Sequence, residues 1–186
     1  MAEDKRVLFV PVLKTKRNAE KDVINICSSL FNDRCIPYLQ IINSITYNPA
    51  ITMCDTLQNN KFFIELIYET SNYENDIISI SSKYSFSIPV LKYNKATINS
   101  NISLVKNALP FHNIGLKIDL KDLISVTNSE ISLLNSEDYI FVNIKDSTYS
   151  SAKPIIALLK AKTNSKIIIL THERKDDISA SQQPDY

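Results

Sequence analysis

The sequence predicts an α/β fold of repeated βα units: seven parallel strands in a TIM-barrel-like arrangement, an incomplete or irregular barrel because no eighth strand can be read. Three observations carry this prediction. Seven short runs rich in β-branched and aromatic residues recur along the chain, each nearly continuous in apolar character, as strands buried on both faces of a parallel sheet require. Amphipathic segments of helical period lie between them, and such alternation implies parallel pairing through right-handed crossovers. A polar residue then arrives near the end of each strand: Lys14, Gln40, Glu65, Lys92, Lys117, Asn143 and His172, each one βα unit from the next. A barrel gathers such residues at one mouth. The alternative, a doubly wound sheet, strings them along an edge and collects two or three at its switch point.

The strands are read in RVLFVPVLK, CIPYLQII, KFFIELI, SIPVLKY, IGLKIDL, DYIFVNI and KIIILTH, in that order. After the first, residues 18–32 place Val23, Ile24, Cys27, Leu30 and Phe31 on one helical face, with Glu20, Lys21, Asp22 and Asn25 on the other. Asn48 and Pro49 form an N-cap and N1 pair opening the next helix, with Ile51, Cys54 and Leu57 inward. Residues 73–84 and 122–134 are read as less regular helices. Residues 97–109 turn Ile98, Ile102, Val105 and Leu109 inward, and residues 150–162 do the same with Ala152, Ile155, Ile156 and Leu159. These units form a single βα-repeat domain over residues 1–172. The mixed-charge segment 173–186 then reads as a polar, disordered tail.

Composition removes several functions. With 186 residues and 44% hydrophobic content the chain suits one core. It has a single glycine, Gly115, whereas a P-loop needs two and a dinucleotide fingerprint three for the backbone to close on a phosphate. Neither motif is present, and no cofactor is expected. Lys plus Arg number 21 against 20 Asp plus Glu, so no global field favours nucleic acid or an anionic membrane. The tyrosines and phenylalanines are not interleaved with basic residues in a stacking pattern, which also disfavours nucleic acid. The apolar run at residues 7–13 is too short to span a membrane and lacks a signal-peptide cleavage site. Cys27, Cys35 and Cys54 show no metal-ligand spacing, so no metal site is expected. Their odd number fits a reduced, cytoplasmic compartment. Cys27 and Cys54 fall on apolar helix faces as packing residues, and only Cys35 lies at a turn.

The N-terminal VPVLKTKRNAE followed by IPYLQII resembles the opening of the phage-associated beta family of proteins. The resemblance is carried by Pro11, Lys14, Lys16, Glu20 and Pro37, then Ile88-Pro89-Val90 and Gly115-Leu116-Lys117. It implies a barrel-like fold and an association with phage or mobile elements, and it implies no established reaction. In the family's pattern an acidic residue stands at the place of Gln40, an Arg at Lys117 and an Asp at Asn143, so the resemblance also implies a weakened site here.

Two functional expectations follow. In the first, the protein is a non-enzymatic or degenerate barrel serving as a protein-interaction component in a phage or host-defence setting. A protein partner or homodimer would then cover the open strand edge, because an uncovered edge invites association. In the second, the strand-end mouth is that of an enzyme or small-ligand binder for a phosphate or carboxylate. Lys14, Lys92 and Lys117 would grip it through charge-assisted hydrogen bonds of about 1.5–3 kcal/mol each, and Glu65 or His172 would move a proton. A plainer account of the same residues is that buried strands turn polar where they meet solvent. His112, in the connection before the fifth strand, reads as a loop residue and not a catalyst.

Overall fold

The computed structural model describes residues 9–15, 22, 24–25, 30–31, 35–42, 48–68, 70–144 and 147–171. Seven strands are formed: β1 (Val12–Lys14), β2 (Tyr38–Ile41), β3 (Phe62–Leu66), β4 (Ser87–Lys92), β5 (Gly115–Asp119), β6 (Tyr139–Asn143) and β7 (Lys166–Leu170). Between them lie α1 (Asn48–Leu57), α2 (Tyr73–Ser81), α3 (Ile98–Ala108), the single-turn helices α4 (Leu120–Leu123) and α5 (Asn128–Ile131), and α6 (Tyr149–Lys162). The strands follow one another through the sheet in chain order, and all six neighbouring pairs are parallel. A doubly wound sheet reverses its order at a switch point. This one does not, so the doubly wound alternative falls and the incomplete barrel stands.

The curl of the sheet is visible in its side chains. Strands β2 and β6 have three others between them, which in a flat sheet would separate them by about 19 Å at roughly 4.8 Å per strand. The rings of Tyr38 on β2 and Phe141 on β6 are nevertheless edge to face at 4.9 Å. Phe63 joins them, edge to face with Phe141 at 4.8 Å and with Tyr139 at 4.9 Å. The inner surface is thus a half-barrel interior of Ile36, Tyr38, Phe63, Ile88, Val90, Tyr139, Phe141 and Leu170. Gly115 lies among them on β5. A Cβ there would stand 2.9 Å from the Phe141 ring and 3.0 Å from Val90. The chain's one glycine therefore leaves the space that the Phe141 ring occupies.

The outer surface of the sheet packs on the helices. Leu39, Phe62, Ile64, Leu91, Leu116, Ile140 and Val142 meet Met53 and Leu57 of α1, Ile77 and Ile80 of α2, Ile102 and Val105 of α3, and Leu159 of α6 in one continuous core. Each large side chain withdrawn from water contributes about 1.5–3 kcal/mol of transfer free energy. With apolar cover on both faces, the strands read as unbroken apolar runs.

Three local expectations are corrected. In α1 the buried face is Ala50, Met53, Cys54 and Leu57, while Ile51 is 40% exposed; the i, i+3, i+4, i+7 set that packs on the sheet starts one residue earlier. Leu30, expected inward, is 61% exposed beside buried Phe31. The stretch 122–134 is two single turns instead of one helix, because Thr127 opens a new helix. Its backbone N–H donates to the Glu130 carboxylate at 2.7 Å, the return bond of a capping box. Most of the helix expected over residues 18–32 lies outside the described residues, as do Cys27, His172 and the tail 173–186; Asp22, Ile24 and Asn25 are helical.

The amino-terminal ends of the strands are tied by Asp138. Its buried carboxylate accepts from the backbone N–H groups of Ile114 at 2.9 Å and Asn135 at 2.8 Å, and from the Lys106 ammonium at 2.6 Å. His112 sits at this same end, its Nδ1 2.9 Å from the Ser87 carbonyl oxygen, in the loop position the sequence indicated.

Candidate functional site

The inward-facing residues at the other end of the strands are polar. Lys14 pairs in register with Gln40, and Gln40 with Glu65. Lys92 pairs with Lys117, and Asp119 with Asn143. Because side chains alternate faces along a strand, each of these points to the same side as the aromatic residues beneath it, and the curl draws them together.

Glu65 is the centre of the arrangement. It has no solvent exposure, and both carboxylate oxygens receive Lys117 Nζ at 3.1 Å. Oε2 also accepts from Gln40 Nε2 at 2.9 Å and from the Tyr38 hydroxyl at 3.1 Å. Removing a carboxylate and an ammonium from water costs several kcal/mol per ion, offset only where geometry and additional hydrogen bonds are good. Here the donors come from β2 and β5, on either side of the acceptor strand β3. That charge pair lies at the inner end of a cleft of about 330 Å³ lined by Glu65, Ile67, Lys92, Tyr93, Lys117, Asp119, Asp122 and Asn143.

The walls are positioned separately. Lys92, the last residue of β4, holds its ammonium 5.5 Å from the centroid of the Tyr73 ring. The Tyr73 hydroxyl donates to the Val90 carbonyl at 2.7 Å. Burial, reinforced by the Glu65 carboxylate, holds that hydroxyl protonated above the ordinary tyrosine range, so the ring presents a neutral face to the cation. On β5, Asp119 occupies the N-cap position of α4 without making a side-chain cap bond; its Oδ1 accepts from Asn143 Nδ2 at 2.9 Å. Asp122 follows in the turn of α4. Tyr93 is fixed by its hydroxyl, which donates to Glu130 at 3.2 Å. Burial comes first in raising the pKa of that hydroxyl, and the Glu130 carboxylate adds to it.

Of the seven residues expected at the mouth, Glu65, Lys92, Lys117 and Asn143 line this one cleft. Gln40 touches it through Glu65. Lys14 is buried on β1 beside Gln40 and is not part of the lining. His172 lies outside the described residues. Of the three lysines expected to converge, Lys92 and Lys117 are register neighbours that both line the cleft, Lys117 ion-paired with Glu65 and Lys92 over the Tyr73 ring. Sequence reasoning missed Tyr38, Tyr93, Asp119 and Asp122. Tyr38 precedes Gln40 by two positions and Asp119 follows Lys117 by two, so period-two alternation places both on the inner face.

Among the described residues no group of three or more His, Cys, Asp and Glu side chains could hold a metal ion, and no helix is long and apolar enough to cross a membrane. No family model, curated protein or solved structure matches this chain.

Proposed function

We propose that the protein is a small-molecule-binding module whose ligand enters the cleft at the carboxyl ends of the strands. The observation carrying this reading is the buried Glu65–Lys117 pair at the inner end of that cleft. A charged pair with two further donors, Tyr38 and Gln40, is a costly way to end an apolar barrel interior, and it fixes the Lys117 side chain at the cleft wall. Functional sites of parallel barrels gather at this face, and ligand sites are concave with a few convergent polar groups. Glu65 supports binding better than proton transfer, because its oxygens already accept from three side chains. The reading is tested with a fragment screen by NMR on the full chain. Shifts confined to Lys92, Tyr93, Lys117, Asp119, Asp122 and Asn143 are expected, and hits that consistently map elsewhere would overturn it.

A second reading is favoured by the sheet edges. Among the described residues β1 pairs only with β2 and β7 only with β6. Val10, Val12 and Ile168 stand half-buried at the margins of the inner core. A protein partner, or a second copy, covering that gap would make the protein an interaction component. The phage or host-defence setting of this second reading is carried by the sequence resemblance alone. Light scattering across a concentration series tests the homodimer form: a monomer mass at every concentration rejects it.

A further inference from the structure

The sheet ends in two unequal edges. β1 is three residues long, follows Pro11, which has no backbone N–H to offer, and ends in Lys14. A short strand, a proline and a lysine are ordinary means of keeping an edge from pairing. β7 is five residues long and carries an unbroken Ile167-Ile168-Ile169 run. Its one charge is turned toward the β6 side: the Lys166 ammonium is 2.9 Å from Glu137 and 5.1 Å from the centroid of the Tyr139 ring. Every residue of β6 is buried, whereas all three isoleucines of β7 are half-buried. The Lys166 N–H donates to the Asp138 carbonyl at 2.9 Å, and the Leu170 carbonyl accepts from the Ile144 N–H at 3.0 Å. Lys166, Ile168 and Leu170 therefore turn their backbone groups to β6. Strand alternation then turns the N–H and C=O groups of Ile167 and Ile169 outward, where no strand stands among the described residues.

We infer that β7 is the contact through which two copies of this chain associate, strand against strand and antiparallel, about a two-fold axis at Ile168. The inference rests on the second reading above and names its partner and its edge. Outward N–H and C=O groups at alternate residues are answered by an extended strand, and the β7 run is its own complement in that arrangement. Ile167 of one copy stands opposite Ile169 of the other, and because both turn their backbone groups outward they exchange N–H···O bonds in both directions. Ile168 meets Ile168 on the axis as a non-hydrogen-bonded pair, Lys166 meets Leu170, and Ser165 meets Thr171. An in-register parallel pairing would instead set Lys166 against Lys166, like charges directly opposite. A head-to-tail pairing of β7 with β1 would use the edge that is short and proline-led, and being heterologous it would extend into rings or filaments. The antiparallel pair closes on itself and joins two curled sheets into one.

The test uses the full chain with Ile168→Cys or Ile167→Cys, each treated with oxidised glutathione, beside the treated parent as background for Cys27, Cys35 and Cys54. Residues facing each other across the axis have Cα atoms about 4.5 Å apart, within disulfide reach. Ile168→Cys is therefore expected to form a covalent dimer, and Ile167→Cys, which faces Ile169 of the copy, to stay at the parent's background. In sedimentation velocity, Ile169→Pro, which removes an outward N–H and no bond to β6, should shift from dimer to monomer at concentrations where the parent is dimeric. Slower amide exchange of Ile167 and Ile169 in the parent as its concentration rises is the same signature without a substitution. Equal linking of the two variants, or a dimer unaffected by Ile169→Pro, overturns the β7 inference while the second reading stands through another surface. A parent that is monomeric at every concentration overturns the inference and the homodimer form of that reading together, leaving a different protein as the partner.

Discussion

Lys117 reaches from β5 past β4 to lay its ammonium 3.1 Å from both carboxylate oxygens of Glu65 on β3. The Lys117 side chain keeps 11% of its exposure and that of Glu65 none. The two partners are therefore unequally buried: losing the lysine leaves a carboxylate deep in the protein, whereas losing the carboxylate leaves an ammonium closer to solvent.

This asymmetry sets the first prediction. Lys117→Met should destabilise the fold by about 3–5 kcal/mol, the usual effect of leaving a buried charge uncompensated. Adding Glu65→Gln to that variant should recover a large part of the loss, because the uncompensated charge is gone. Urea denaturation of the two single variants and the double variant closes the cycle. A double variant as unstable as the sum of the singles would show that the pair is not coupled.

Gly115 gives the second. An added methyl group at 2.9 Å from the Phe141 ring overpacks the interior, so Gly115→Ala should cost about 1–3 kcal/mol. Shrinking the neighbour with Phe141→Leu in the Gly115→Ala background should relieve part of the overpacking. The two denaturation midpoints, compared with Phe141→Leu alone, measure the relief.

At the opposite end of the strands, Asp138 holds two backbone N–H groups and the Lys106 ammonium. Asp138→Ala orphans all three, and a loss of about 3 kcal/mol or more is expected from unpaired buried donors and a broken partly buried ion pair. The cleft should change little in whatever fraction remains folded, since this network lies at the other end of the sheet. Amide chemical shifts of Lys92, Tyr93, Lys117, Asp119 and Asn143 in the variant and the parent check that separation.

The acid limb of stability should depend on Glu130. Burial acts to raise the pKa of this carboxyl, but the backbone N–H and side chain of Thr127 and the Tyr93 hydroxyl together outweigh it and hold the pKa below the ordinary value. A carboxyl with a depressed folded-state pKa contributes stability that is present above the unfolded-state value, about 4.3, and is lost as pH falls through the folded-state value. Glu130→Gln should therefore flatten the fall in urea midpoint below about pH 4.3 relative to the parent. Parallel curves for both proteins would exclude the contribution.

Cys54 should be inert. Burial, with Asp55 adding to it, raises its thiol pKa to about 12, so almost no thiolate exists at neutral pH. Iodoacetamide at pH 8 should leave the Cys54 peptide unmodified in the native protein and label it fully in urea, as read by peptide mass spectrometry.

The repeat of strand and helix was readable because burial on both faces writes itself as unbroken apolar runs, as in Phe62–Leu66 and Tyr139–Asn143. The polar strand ends were readable too, and Glu65, Lys92, Lys117 and Asn143 do meet in one cleft. What selecting one residue per strand concealed was the second residue on the same face, Tyr38 below Gln40 and Asp119 above Lys117. Asp122 was beyond reach for a different reason: it sits on a single helical turn, with no apolar period to place it. The break at Thr127 had a local signal, Thr127-Asn128-Ser129-Glu130, which is a capping-box pattern inside what was read as one helix. Lys14, expected at the mouth, is not among the lining residues, because strand register says which residues are neighbours and not which of them a curled sheet brings to one cleft.

The chain-order sheet separates two kinds of assembly. Each parallel pair joins strands one crossover apart, so the ladder can extend unit by unit with modest loop closures. The contacts between Tyr38 and Phe141 and between Glu65 and Lys117 skip over intervening strands, and they become available only after the strands between them have paired and the sheet has bent. The cleft is therefore a property of the whole curled sheet and of no single βα unit: a chain stopping before β5 would lack Lys117, Asp119, Phe141 and Asn143, and with them both the ring that closes the interior and most of the polar lining.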